Sequence, residues 1–134
     1  MQMEVAVIGT GWCGGIRSET LSRSALVSKL HICEIRPDRL AEVKQLTNPA
    51  TATLDYQDIV KNPDISVVYI STTPEHTHFP IARDCLKAGK HVLLEKPMAA
   101  TRAECQRLMA VAERLTDQGD STVAGKGHGS HSFG

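Results

Sequence analysis

Two kinds of apolar pattern alternate along the 134-residue chain. The first is short and nearly continuous: Val5-Ala6-Val7-Ile8, Leu30-His31-Ile32-Cys33, Ile65-Ser66-Val67-Val68-Tyr69-Ile70-Ser71 and His91-Val92-Leu93-Leu94. Runs of this length without strict alternation predict strands covered on both faces, as in a parallel sheet. The second pattern has helical spacing. Gly15 to Arg23 can form a helix, and Arg36-Pro37-Asp38-Arg39 starts the next with proline in its first turn. Leu40, Val43 and Leu46 give that helix its apolar stripe, and Asn48-Pro49 stops it. Thr51 to Leu54 predicts a short strand, and Asp55 an N-cap for a brief helix through Lys61. From about Thr77 to Ala88, a helix places Phe79, Ala82, Cys85 and Leu86 on one face, with Gly89 closing it. Thr101 and Glu104 form a capping box for a last helix with a stripe of Cys105, Leu108, Met109, Ala112 and Leu115.

Strand and helix alternate throughout, which predicts an α/β, Rossmann-type, doubly wound and mostly parallel sheet with helices on both faces. One domain over residues 1–118 is expected, followed by a flexible Gly/Ser/His-rich tail over 119–134 in which Thr122-Val123-Ala124 is at most the stub of a sixth strand. Composition narrows the function. Apolar residues make up 41% and aromatics 4%, so the core is aliphatic. Lys plus Arg and Asp plus Glu balance at 15 each, which gives no electrostatic case for nucleic acid or an acidic membrane. No apolar run approaches the ~20 residues of a membrane span, and the chain enters a strand directly after Met1-Gln2-Met3, without a signal-peptide pattern. Four scattered cysteines, Cys13, Cys33, Cys85 and Cys105, read as reduced thiols of a cytoplasmic protein. His128 and His131 lack the supporting ligands of a metal site, so none is expected.

The chemistry is concentrated after the first strand, in Gly9-Thr10-Gly11-Trp12-Cys13-Gly14. A G-x-G-x-x-G between a buried strand and a helix, with an acid, Glu34, twenty positions beyond the third glycine, is the fingerprint of a dinucleotide site. Gly9 permits the tight turn, Gly11 lets the backbone approach a pyrophosphate, and Gly14 lets the helix pack on the sheet. Glu34 would accept hydrogen bonds from the adenosine ribose and repel a 2′-phosphate, which favours NAD over NADP. Arg36 and Arg39 keep NADP as the second candidate, although both read as a solvated first turn. Cys13 at the helix N-terminus reads as loop packing. Two further loops, Thr72–His78 and Glu95–Pro97, also follow strands and should converge with the glycine loop on one cleft.

Those two loops carry a resemblance. Ser71-Thr72-Thr73-Pro74-Glu75-His76-Thr77-His78 and Ala88-Gly89-Lys90-His91-Val92-Leu93-Leu94-Glu95-Lys96-Pro97, together with the glycine fingerprint, resemble the glucose–fructose oxidoreductase / inositol 2-dehydrogenase / rhizopine catabolism (Gfo/Idh/MocA) family over residues 3 to about 117. The resemblance implies that Gly9, Gly11, Trp12, Cys13 and Gly14 hold the pyrophosphate and Glu34 the ribose. It also implies that Thr72, Thr73, Pro74, His78 and Glu95 line the cleft, and that Lys96 stands at the nicotinamide ribose as the catalytic residue. Hydride transfer between nicotinamide and a sugar- or polyol-type substrate is the implied activity. The family's second, substrate-binding domain has no counterpart in these residues, so the isolated chain is expected to be inactive and prone to self-association. A non-catalytic NAD-binding sensor or partner module is the alternative. A methyltransferase fits the fingerprint spacing and Glu95-Lys96-Pro97 poorly.

Overall fold

A computed structural model describes residues 2–95, the helical positions 103, 106, 107, 110 and 111, and the strand 123–125. Six strands, β1 (Met3–Ile8), β2 (Val27–Cys33), β3 (Thr51–Thr53), β4 (Ile65–Ile70), β5 (His91–Leu94) and β6 (Val123–Gly125), form one sheet in the order β3-β2-β1-β4-β5-β6. Every pairing is parallel. The helices between them are α1 (Trp12–Ser22), α2 (Pro37–Thr47), α3 (Gln57–Lys61) and α4 (His78–Lys87). This is the doubly wound Rossmann arrangement that the alternating pattern predicts.

The two faces of the sheet have separate cores because side chains alternate along each strand. On one face, Ala6, Ile8, Val68 and Ile70 pack with Ile59 of α3 and Ala82, Cys85 and Leu86 of α4. On the other, Val7, Ile32 and Tyr69 pack with Val43 of α2, with Leu21 and Leu40 at the margin. Strand β1 therefore lies between two cores, and its last four residues are all buried. From β1 the chain winds out to β3, then returns to β4 on the other side of β1. The crevice this reversal leaves above the carboxyl ends of β1 and β4 is where ligands bind in such sheets.

Several boundaries differ from expectation for local reasons. Helix α1 starts at Trp12, not Gly15, because Gly11 takes the extended N-cap conformation and two glycines enter the first turn. In α2 the buried partner of Val43 is Thr47, and Leu46 is 64% exposed. Thr47 lies seven positions beyond Leu40 and so returns to its face, whereas Leu46 falls one residue short. Thr47 satisfies its hydroxyl by donating to Val43 O at 2.8 Å. The fourth helix is preceded by a separate 3-10 turn over Glu75–Thr77. Asp55 accepts the Gln57 N–H at 2.9 Å, but Tyr56 stands between it and α3 as the N-cap. The sixth strand is a full partner: Val123, Ala124 and Gly125 pair with Val92, Leu93 and Leu94, so three residues of the expected tail belong to the sheet. The capping box at Thr101 and Glu104, the cysteine at 105 and the tail histidines lie outside the described residues.

Candidate dinucleotide site

The glycine loop is shaped by contacts that a side chain would destroy. Gly9 has φ +90°, and a Cβ on it would lie 2.7 Å from Thr72 N in the loop after β4. Its own N–H donates to Cys33 O at 2.9 Å, so the turn leaves the sheet immediately after one last strand contact. A Cβ on Gly14 would lie 1.8 Å from Gly9 O, which is how closely α1 packs on the end of β1. Ser18 secures that turn by donating to Gly14 O at 2.7 Å. Gly11 is the opposite case, since a Cβ there would meet nothing within 4 Å. That open space faces a cleft of about 980 Å³, and a phosphate group fits beside the bare backbone.

Glu34 extends β2 by donating its N–H to Thr53 O at 3.0 Å. Its side chain is only 8% exposed, and its carboxylate is well supplied with donors. Oε1 accepts from Thr10 N at 2.9 Å and Thr10 Oγ1 at 3.0 Å, and Oε2 from Arg36 N at 3.1 Å. The acid expected to read the ribose thus also ties the end of β2 to the glycine loop, and it lines the cleft. Thr10, wholly buried in the variable position of the fingerprint, is the partner that spacing alone did not reveal.

The two arginines separate. Arg36 is solvated as expected, with only an exposed 3.7 Å contact to Asp38. Arg39 is not: its Nε donates to Thr10 O at 2.6 Å and its Nη2 to Gly11 O at 3.3 Å. Sequence spacing placed it in solvent because nothing local shows that α2 passes over the loop. Ile35 and Leu54, 76% and 49% exposed, add an apolar margin to the same cleft.

The opposite wall comes from the loop after β4. Thr72 and Thr73 line the cleft, and Thr72 Oγ1 is hydrogen-bonded to Thr77 Oγ1. His78, 2% exposed at the start of α4, donates its Nε2–H to Thr72 O at 2.7 Å and holds this loop over the sheet. Pro74, on a cis peptide bond, is exposed, and its carbonyl accepts from Thr77; it does not line the cleft. Glu95 does, anchored by the Tyr69 hydroxyl of β4 and by its N–H to Ile70 O at 2.9 Å. Trp12 contributes the first helical backbone unit of α1, and Lys96 lies outside the described residues.

The thiols divide in the same way as the arginines. Burial pushes Cys33 and Cys85 up to about 12, which leaves them inert core residues, while Cys13 is exposed in the cleft wall. Among the described residues no group of three potential ligands could hold a metal.

Residues 3–119 match the Gfo/Idh/MocA oxidoreductase family, NAD-binding Rossmann fold. The chain belongs to this family. It is 37% identical over 126 residues to a 1-carboxy-3-chloro-3,4-dihydroxycyclohexa-1,5-diene dehydrogenase of Comamonas testosteroni, covering 94% of this chain and 31% of that protein. It is 33% identical over 108 residues to myo-inositol 2-dehydrogenase of Thermotoga maritima, covering 80% of this chain and 32% of the relative. The crystal structure of scyllo-inositol dehydrogenase from Lactobacillus casei superposes with a TM-score of 0.84 at 20% identity, over 94% of this chain and 36% of that one. The Gfo/Idh/MocA chain described here therefore spans about a third of the length of its relatives, and the part it spans is their NAD-binding Rossmann domain. Among the described residues no helix is long and apolar enough to cross a membrane.

Proposed function

We propose that this chain is the cofactor domain of an NAD-dependent oxidoreductase acting on the CH–OH group of a sugar- or polyol-type substrate. The observation that carries the reading is convergence. Residues from the loops after β1, β2, β4 and β5 line one cleft, which includes Gly11, Glu34, Thr72 and Glu95. Bound NAD would supply the hydride acceptor. The chain's own residues bind and orient. The open backbone at Gly11 and the N-terminus of α1 receive the pyrophosphate, with Trp12 and Cys13 presenting main-chain donors. Glu34, held by Thr10, accepts from the ribose hydroxyls and excludes a 2′-phosphate, so NAD is preferred to NADP. The loop residues Thr72 and Thr73, with His78 beneath them, bound the cleft. Lys96 is proposed to donate to the substrate oxygen and to stabilise the charge that develops there.

The substrate-holding surface belongs, in this reading, to the further length that the relatives have. Positioning of two reactants contributes about 7–11 kcal/mol to such reactions, and Lys96 alone does not replace it. The 134 residues by themselves are thus proposed to bind NAD without turnover and to self-associate, in a cytoplasmic setting where Cys13 stays reduced. The one-third span also favours a second reading, an NAD-binding module that senses cofactor or pairs with a partner chain. Calorimetric titration with NAD, NADP and S-adenosylmethionine tests the binding claim, and only NAD should bind tightly. Absorbance at 340 nm across a panel of inositols and hexoses, run beside light scattering, tests the rest. Turnover by a monodisperse monomer would show that residues 1–134 hold a complete active site and would overturn the division of labour.

A further inference from the structure

We infer that Arg39 is a positioning residue: it holds the glycine loop in the shape that presents main-chain N–H donors to the cofactor pyrophosphate. The inference rests on the NAD-binding reading and adds a residue to it that lies outside the fingerprint. Arg39 is a side chain of α2, yet both of its short contacts are with carbonyls of the loop after β1, Thr10 O at 2.6 Å and Gly11 O at 3.3 Å. In a planar trans peptide the C=O and N–H of one unit point in opposite directions. Fixing the Thr10 carbonyl toward α2 therefore turns the Gly11 N–H away from α2, and fixing the Gly11 carbonyl does the same for the Trp12 N–H. Those are donors at the start of α1, where no helical carbonyl is available to receive them.

The geometry is enforced from three sides. Glu34 holds the same residue through Thr10 N and Oγ1, so Thr10 is gripped at its amide, hydroxyl and carbonyl by two side chains of opposite charge. Gly15 N–H also donates to Gly11 O, at 2.8 Å, and shares that acceptor with the guanidinium. Finally, the end of the Arg39 guanidinium abuts the first turn of α1: a Cβ added to Gly15 would sit 2.3 Å from Nη2. This accounts for the second consecutive glycine, which the G-x-G-x-x-G pattern does not require. Because Nε and Nη2 serve the loop, the guanidinium is also held back from a 2′-phosphate, which agrees with NAD over NADP. Nη1 is left 3.7 Å from the exposed Glu42 carboxylate.

Three variants test the inference: Arg39→Met, Arg39→Lys and Gly15→Ala. The last displaces the guanidinium with a methyl group while improving intrinsic helix propensity, so any loss it causes cannot come from a weakened helix. Amide hydrogen exchange is measured on the ligand-free chain, and NAD affinity by calorimetry. Arg39→Met and Gly15→Ala should each speed exchange over residues 9–15, leave β4 unchanged, and weaken NAD by about tenfold, a 1.4 kcal/mol change. Arg39→Lys should stay close to Arg39→Met, since a single ammonium does not reproduce the two-headed grip. Wild-type affinity in Arg39→Lys would mean that only the charge matters and would overturn the clamp. Weaker NAD binding with unchanged loop exchange would also overturn it, by making Arg39 a direct ligand contact. If the wild-type chain binds no NAD, the cofactor reading fails, while faster loop exchange in Arg39→Met still supports the clamp and unchanged exchange still refutes it.

Discussion

Two cations of this domain are bound by main-chain carbonyls, one at each end of the sheet, and the ends differ in what the cation leaves open. At the amino end, Lys90 is 2% exposed, and its Nζ donates to Asn62 O at 2.6 Å and Ile65 O at 2.9 Å. Burial lowers its pKa from the ordinary 10.5, and the contacts join the start of β5 to the start of β4. At the carboxyl end, Arg39 makes equivalent bonds to Thr10 and Gly11, but beside a cleft of about 980 Å³. The same interaction stabilises the fold where nothing else needs the backbone, and shapes a binding loop where the opposite side of each peptide faces a ligand. Affinity and stability should therefore come apart when the two ends are changed separately.

The largest effect is expected at the open end. Gly11→Val puts a branched side chain into the space beside the loop, where a Cβ meets no protein atom within 4 Å. NAD binding should fall below calorimetric detection, while unfolding free energy falls by only about 1 kcal/mol, the cost of a poorer N-cap residue on α1. Normal NAD affinity in that variant would remove the glycine loop as the phosphate site. Lys90→Met provides the converse at the amino end. Losing a charged donor to two buried carbonyls should cost about 2–3 kcal/mol in urea unfolding, with NAD affinity of the folded fraction unchanged. A parallel loss of affinity would mean that the two ends are coupled.

Glu34→Ala sharpens the comparison within the cleft, because this acid serves both ligand and loop. A loss of about 1.5–3 kcal/mol in NAD binding is expected, with NADP gaining relative to NAD in competing titrations. Equal losses for both cofactors would assign Glu34 to holding Thr10 alone. The smallest effect lies at the margin of the cleft, where Asp84 of α4 accepts from Tyr56 at 2.6 Å and Gln57 at 3.2 Å and ties α3 to α4. Burial raises the pKa of Asp84, but bonds from Tyr56, Arg83 and Gln57 outweigh it and leave the carboxyl below its ordinary 3.8. Tyr56 is pushed up to about 12 by burial and by its bond to Asp84. The signs follow by linkage. The Asp84 contribution is present above its unfolded pKa and lost as pH falls through the lower folded value; that of Tyr56 is present below 10.0 and lost as pH rises toward 12. Tyr56→Phe should flatten both limbs of the stability–pH curve without altering NAD affinity.

The sequence by itself determined the class of the fold and the position of its ligand loop. Continuous apolar runs such as Val5–Ile8 are only stable between two layers, and a strand, three spaced glycines, a helix and an acid at Glu34 form a local unit whose geometry is set by neighbours in the chain. The glycine roles were readable for the same reason: Gly9 at φ +90°, Gly14 against Gly9 O, and Gly11 in the open are consequences of one short turn. What only the tertiary structure decided involves partners far apart in sequence. Arg39 reaches Thr10 because α2 packs against α1. Tyr69 meets Glu95 because β4 and β5 are adjacent. β6 joins the sheet although Val123-Ala124-Gly125 is too short and too plain to declare itself, since its partner is the already formed edge of β5. Local spacing records the turns a chain makes, whereas a side chain's role depends on which element the sheet later brings alongside it.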